Sequence, residues 1–523
     1  MLLSARAWEA GGLDDFLRPD RVPWPDPLRI PELQDAVLRI ERAIKQQEPI
    51  LVHGDYDVDG LMGSAILVGG LRALGGQVEA FIPSRFDGGY GLSEASLAAV
   101  ERYGAKLLVT TDCGTNASDI IKRLQGLGVD VVITDHHIPS KGERGPCIVV
   151  NPHLHEGHPD QGLCGAFVAL QTLRQLILHM GQDFPLEPFL RLAAIATVAD
   201  VVPMNAVNRK ICKAGFRAME STPNPGLSLL LRQARVHGDI RGHHIAFHVA
   251  PRFNAAGRME DARLVLDLLL EREPAKAAAL MGRLEALNMK RKALQAAAFE
   301  EAQEQALSRG LSRVVFACSS RWHRGVIGPV AARLAETHRR SAFVVAVESG
   351  DGVGSARSWG DDNVCALLDA VGHLLGRWGG HEGAAGFTVE ARNLEDLARA
   401  LMLQPALPGE ELPEELFFPM AAKDLPAAWE AWGVLDPFGP GNTEPFIGLT
   451  GLIGKGQRVV GERHIIWPVD LPGGELMNVI AWDGLKRGIQ PSSLTPSRTV
   501  IGRPAPEYRP SGLPFYFNLQ AIL

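Results

Sequence analysis

The sequence predicts an α/β protein: a doubly wound parallel sheet, a long connecting helix, a smaller α/β domain and a C-terminal β-barrel. Three observations predict it. Apolar, β-rich runs recur between residues 50 and 151 with helical patterns between them, the alternation that gives parallel sheets covered on both faces. Residues 274–308 are rich in Ala, Leu, Glu and Lys and nearly free of helix breakers. Residues 417–523 read as short strands interrupted by Gly and Pro.

In order, a Pro-rich stretch (RPDRVPWPDP) and an apolar-periodic helix over Glu32–Lys45 make an N-terminal segment, 1–45. Strands are predicted at Ile50–His53, Val78–Ile82, Lys106–Thr110, Val129–Thr134 and Cys147–Asn151. Helices are predicted at Met62–Leu74, Glu94–Tyr103 and Ser118–Leu127, then near 165–181 and 186–199, within a first domain spanning 46–270. The connecting helix, 271–308, has Gly282 as its one glycine after Pro274. The second domain, 309–403, has strands near Val314–Ala317 and Phe343–Val347 and a helix near Val326–Thr337. Residues 402–416 read as an acidic linker, and 404–523 form the barrel-bearing domain.

With 523 residues the chain is too long for one core, and two to four domains are expected. No apolar run reaches the eighteen residues of a membrane span, and MLLSARAWEAGGLDDF lacks a signal pattern. Six scattered cysteines without a C-x-x-C pair argue against a zinc ribbon or disulfide framework and for a reducing cytoplasm. The net charge of −7 argues weakly against nucleic acid as partner, but charge is uneven. Residues 408–450 carry one Lys against eight acids, whereas 451–523 carry eight Lys or Arg against five. A carboxylate-built metal site would also make the total negative without repelling phosphate once its ions are bound.

The strongest motif is HGDYDVDG, His53 to Gly60, directly after the first predicted strand. Asp55, Asp57 and Asp59 alternate in a strand-to-loop segment and are expected to project to one side. Three like charges so close repel unless cations neutralise them. An Asp-rich turn would explain this motif by itself, but clusters of the same kind recur. TTDCG, Thr110 to Gly114, follows the third strand, and TDHH, Thr134 to His137, follows the fourth. Each lies where open α/β sheets place their sites, at the C-terminal end of a strand. Asp200, ending LAAIATVAD, is either a helix terminus or a further ligand. Oxygen and imidazole groups without thiolates suit Mn2+ or Mg2+ better than structural zinc. Two such ions about 3.5–4 Å apart clamp the attacking and leaving oxygens of a phosphodiester. Asp112 is the choice for a bridging carboxylate.

HGDYDVDG, TTDCGT, TDHH and TVADVVP, in this order, resemble the four motifs of the DHH phosphoesterase superfamily. Further segments resemble its RecJ family: IPSRFDGGYGL, LCGAFVA, PRFNAAGRM, RWHRGVIGPVAARL, GSARS, GGHEGAAGF and DPFGPGNTEP. The resemblance covers almost the whole chain. It implies a DHH domain, a DHHA1 domain and an OB-like barrel in place of the three regions above. It places metal ligands at His53, Asp57, Asp59, Asp112, His136 and Asp200. Asp57, Asp59, Asp112, His136, His137 and Asp200 would form the catalytic set. Asp55 and His137 match positions that support the site or contact the scissile phosphate, and Asp135 orients a neighbouring group.

The resemblance further implies 5′→3′ removal of mononucleotides from single-stranded DNA with two Mn2+ or Mg2+ ions, in DNA repair and recombination. Arg85, Ser355 and Arg357 would hold the 5′-terminal phosphate, for which the Arg fork is suited. Arg252, Asn254, Arg258, His323 (with Arg324) and His381 are further strand contacts. Trp467, Trp482, Phe515, Tyr516 and Phe517 are available for base stacking, about half of them as core. Two departures from the family pattern stand out. Ala356 replaces a usual Gly and would tighten the terminal-phosphate pocket; Phe167 replaces a common Gly and reads as packing. The implied setting is the bacterial cytoplasm near the nucleoid, as a monomer, with a single-strand-binding protein and a RecQ-type helicase as partners. A cleft with an entrance too narrow for duplex would select single strands. The alternatives are a relative acting on short oligoribonucleotides or cyclic dinucleotides, and an inactive DNA-binding relative.

Overall fold

This computed structural model describes residues 12–86, 91–140, 142, 144–310, 312–404, 417–425, 432–471, 476–482, 484–485, 488–504 and 516–522. The acidic linker lies mostly outside them, and Phe515 lies wholly outside. The chain forms two compact units: 1–254 with 262–281 and 415–523, and 255–261 with 282–414.

The first sheet is fully parallel, in the order β2-β1-β3-β4-β5. Its strands are β1 (Ile50–Gly54), β2 (Val78–Phe81), β3 (Leu107–Thr111), β4 (Asp130–Thr134) and β5 (Ile148–Val150). β1 and β3 are buried at every position, which explains their unbroken apolar runs. The strand order reverses direction between β1 and β3. That crevice at the strand C-termini is where such sheets bind ligands. Packed against β1 is the helix Val58–Ala73, so apolar that it is buried nearly all round.

The second unit holds a mixed sheet, β6-β7-β8-β10-β9. Its strands are β6 (Val315–Ser319), β7 (Ala342–Glu348), β8 (Asp351–Arg357), β9 (Trp378–His381) and β10 (Ala384–Glu390). The connecting helix is one element, Pro274–Arg309. Met259, Ala298, Phe299 and Ala302 share a core with the helix Ile327–His338 and one face of β6 and β7.

The C-terminal strands are β11 (Phe417–Ala421), β12 (Phe446–Thr450), β13 (Arg458–Val460), β14 (His464–Asp470), β15 (Leu476–Ala481), β16 (Val500–Pro504) and β17 (Tyr516–Ile522). They pair as β11-β12-β16-β17-β15-β14-β13, and among the described residues β11 and β13 do not pair with each other. In place of a closed barrel, the described residues form a seven-stranded sheet whose two outermost strands are not hydrogen-bonded to each other. It belongs to the same compact unit as the parallel sheet. The buried Arg209 is one reason. It donates to the carbonyls of Leu435 (2.7 Å), Val434 (2.7 Å) and Phe16 (3.3 Å), and Lys213 donates to Gly433 (2.9 Å). Trp467 and Phe517 are core, Tyr516 is half-buried and Trp482 is exposed, so stacking is left to fewer of the aromatics. Among the described residues no helix is long and apolar enough to cross a membrane.

Candidate active site

After β1 the chain turns at once into the helix Val58–Ala73. Asp57 caps that helix: its Oδ1 accepts from the N–H groups of Asp59 (2.9 Å) and Gly60 (3.2 Å). A Cβ at Gly60 would lie 2.4 Å from the Asp55 nitrogen, so the turn admits only glycine. Asp59 is held from a second helix, Gly165–His179. Its Oδ2 accepts from Gly165 N–H (2.7 Å) and its Oδ1 from Ala166 N–H (2.8 Å). A Cβ at Gly165 would approach Asp112 Cα to 2.9 Å. The three aspartates therefore do not converge by strand alternation, as the sequence pattern suggested. The helix begins at Val58, four residues before its predicted start, and turns Asp59 inward.

Asp112 follows β3 in the left-handed region, φ 61°, and its N–H donates to Thr134 O (3.0 Å). Such a conformation is strained for a non-glycine residue and persists where surrounding structure imposes it. Asp200 caps the C-terminus of the helix Glu187–Ala199. His136, after β4, stands among three carboxylates: Nε2 lies 3.2 Å from Asp112, 3.6 Å from Asp59 and 3.7 Å from Asp200. Asp135 is buried and accepts from both following N–H groups, His136 (2.8 Å) and His137 (3.2 Å), from Thr115 N–H (3.0 Å) and from His137 Nδ1 (2.8 Å). Three overlapping groups result, each with donor atoms within 4.8 Å: Asp55/Asp57/Asp112, Asp112/His136/His137 and Asp59/His136/Asp200. Asp112 and His136 each belong to two.

The electrostatics fit divalent cations. Burial, then the charge of Asp57, pushes the Asp55 carboxyl up to about 8. Burial, then Asp59 and Asp57, pushes Asp200 up to about 9. Burial and four neighbouring aspartates hold Asp112 far above the ordinary carboxylate range. Burial raises Asp59 as well, against the opposing charge of His136. Asp55 Oδ1 is buried without a hydrogen-bond partner. Carboxylates crowded this way call for added positive charge.

His53, expected as a ligand, is not in these groups. Its ring is fully buried, Nε2 is 2.9 Å from Ser96 Oγ, and Nδ1 is 3.6 Å from Cys113 Sγ. Burial holds it neutral, with a pKa lowered to about 4. Both ring nitrogens thus have protein neighbours, while Asp55 lies with Asp57 and Asp112. Arg85 lies over the Tyr56 ring (4.3 Å) and partly offsets the rise of Asp55. Arg252 donates to His248 O (2.6 Å), and Asn254 is half-buried nearby on the same helix.

In the second unit, Arg357 Nη2 and Ser355 Oγ each lie 3.4 Å, and Arg258 Nη1 3.9 Å, from where a Gly328 Cβ would stand. Gly328 is in the first turn of the helix Ile327–His338, so two guanidinium groups and a hydroxyl surround a helix N-terminus. His323 stands beside it, its Nδ1 accepting from Gly325 N–H (3.0 Å), while Arg324 reaches Glu348 (3.8 Å). His381 is exposed on β9. Ala356 corrects the expectation of a tightened pocket. β8 alternates, so Ala356 points to the opposite face and packs with Phe343 and Phe387. Phe167 is buried beside Trp24 (6.4 Å), as packing.

Sequence reasoning missed the amides of Gly165 and Ala166 as the holders of Asp59. The LCGAFVA segment carried the signal, a glycine opening an apolar helix.

A parallel sheet with a buried carboxylate–imidazole cluster at its switch point defines a DHH-type protein. The description "DHH family, N-terminal domain" matches residues 49–197, and "DHHA1 domain" matches 311–403. The single-stranded-DNA-specific exonuclease RecJ of Thermus thermophilus is 34% identical, over 91% of this chain and 72% of that protein. Its Bacillus subtilis namesake is 31% identical, over 91% and 62%. A crystal structure of the Thermus RecJ in complex with Mn2+ matches with a TM-score of 0.79 at 32% identity, over 94% of this chain and 72% of that one. A Mg2+ complex matches with a TM-score of 0.73. The chain belongs to the RecJ family.

Proposed function

We propose that this chain is a divalent-metal-dependent exonuclease that hydrolyses single-stranded DNA from its 5′ end to mononucleotides, serving repair and recombination. The observation that carries this reading is the convergence of Asp55, Asp57, Asp59, Asp112, Asp200, His136 and His137 from separate strand and helix ends. Kinship with exonucleases crystallised with Mn2+ and Mg2+ supports it.

Asp55, Asp57 and Asp112 would hold one ion, and Asp59, His136 and Asp200 would hold a second. Ions held there would supply an activated water and neutralise charge on the phosphodiester oxygens. Asp135 fixes the His137 ring through Nδ1, and we assign Nε2 of that ring to the scissile phosphate. Arg258, Ser355 and Arg357 form a phosphate cradle with the forked geometry that suits a terminal phosphate. Arg85 keeps its assignment to phosphate, and Arg252, Asn254, His323 and His381 are assigned to the strand. The boundaries 46–270, 271–308, 309–403 and 404–523 are the corresponding domain division. A single-strand-binding protein and a RecQ-type helicase as partners, a monomeric state and a place at the bacterial nucleoid complete the proposal.

The test is digestion of an end-labelled single strand, with and without a 5′-phosphate, in Mn2+ and in Mg2+. Release of mononucleotides from the 5′ end, with blunt duplex resistant, is the expected result. Equal digestion of duplex, or release from the 3′ end, would refute it.

A further inference from the structure

We infer that Asn151 is a positioning residue for His137. Asn151 directly follows β5, is fully buried and touches three segments. Its Nδ2 donates to His137 O (2.9 Å) and to Thr115 Oγ1 (2.9 Å). Its Oδ1 accepts from His153 N–H (2.8 Å). Asp135 grips the same two residues from the other side, through the N–H groups of His137 and Thr115 and through the His137 ring. His137 is thereby held at its amide, its carbonyl and its imidazole, and Asn151 supplies the carbonyl anchor. Asn116 fastens the same loop one step on, donating to Ile138 O (3.1 Å) and accepting from Ser140 N–H (2.7 Å).

The alternative is that Asn151 only caps the short turn Pro152–Leu154, a role that needs Oδ1 and no donor. The two roles use different atoms of one amide, so they separate by substitution. Asn151→Asp keeps the capping oxygen, removes both donors and sets a carboxylate against the His137 carbonyl. Without that anchor the His137 carbonyl loses one of the three holds on the residue and can shift, and a displacement of about 1 Å at a reacting group costs about 100-fold in rate.

The inference rests on the nuclease reading for its kinetic arm only. In the Mn2+-loaded full-length protein, Asn151→Asp should lower kcat on single-stranded DNA about 10- to 100-fold. KM should stay within about twofold, since the proposed strand contacts are untouched. Asn151→Ser also retains a capping oxygen and loses the amide donors without burying a charge; it serves if the Asp variant does not fold. The second arm is independent of activity. In metal-free protein labelled with 15N-histidine, the ring signals of His137, identified by their loss in His137→Gln, should shift in both Asn151 variants. A kcat within twofold of wild type, or unshifted His137 ring signals, overturns the inference. If wild type does not cleave DNA, the nuclease reading fails and the ring signals decide this one.

Discussion

Nε2 of His136 lies 3.2 Å from Oδ1 of Asp112, and through this contact two carboxylate groups become one site. Asp112 faces Asp55 and Asp57 from the β1 turn, while His136 faces Asp59 and Asp200 from two helix ends. Removing either member of the pair should divide the site.

Asp112→Asn is therefore expected to lower nuclease activity by more than about 100-fold, beyond what loss of an outer-shell partner costs. Melting should move the opposite way. Burial and its neighbours raise the Asp112 carboxyl, and a raised acid contributes stability at low pH that is lost as pH rises through its folded value. In metal-free buffer at pH 8 the Asn variant should melt above wild type. Nuclease assays paired with thermal melts in EDTA check both signs.

Mn2+ should stabilise the wild-type protein, because binding to the folded state alone adds RT ln(1 + [L]/Kd), about 2.7 kcal/mol at a hundredfold excess over Kd. The rise in Tm should vanish in EDTA and shrink in Asp112→Asn. A Tm indifferent to Mn2+ would contradict the metal assignment.

Arg357→Lys keeps the charge in the proposed phosphate cradle and loses the fork. Its KM for a 5′-phosphorylated strand should rise about 10- to 100-fold, equivalent to roughly 1.5–3 kcal/mol. KM for a 5′-hydroxyl strand should change little. Equal losses on both strands would show that the cradle does not read the terminal phosphate.

Glu444 supplies a pH test away from the metals. Burial first, and Asp436 in addition, push its carboxyl up to about 7 despite Arg503 and Trp432. A folded value above the unfolded one means stability present below about pH 4.5 and lost through about pH 7, on the order of 1–3 kcal/mol. Glu444→Gln should flatten that decline, read as the difference in Tm between pH 5 and pH 8.

Arg209→Ala should cost about 1–3 kcal/mol, since it removes a buried guanidinium that donates to the carbonyls of Val434, Leu435 and Phe16, of which Leu435 keeps Asn442 as a second donor. Limited proteolysis should then cut first around residues 432–442. Wild-type protease resistance there would count against the clamp.

The sequence by itself determined the order of elements, because apolar runs between turn signals report burial on both sheet faces wherever they fold. It also fixed the acidic and imidazole motifs at strand ends, since their residue types have few other uses in that pattern. What it could not decide was which donor atoms meet. His53 sits inside the first motif and lies beside Ser96 and Cys113, while Asp55 lies with Asp57 and Asp112. Ala356 lies within the GSARS segment yet packs on the far side of its strand. Gly165, over a hundred residues from Asp59, donates to it because two helices converge there. A linear pattern records side-chain chemistry and local period. Direction at a cap, a left-handed residue or a strand face, and the partners brought in from distant segments, exist only once the tertiary packing has formed.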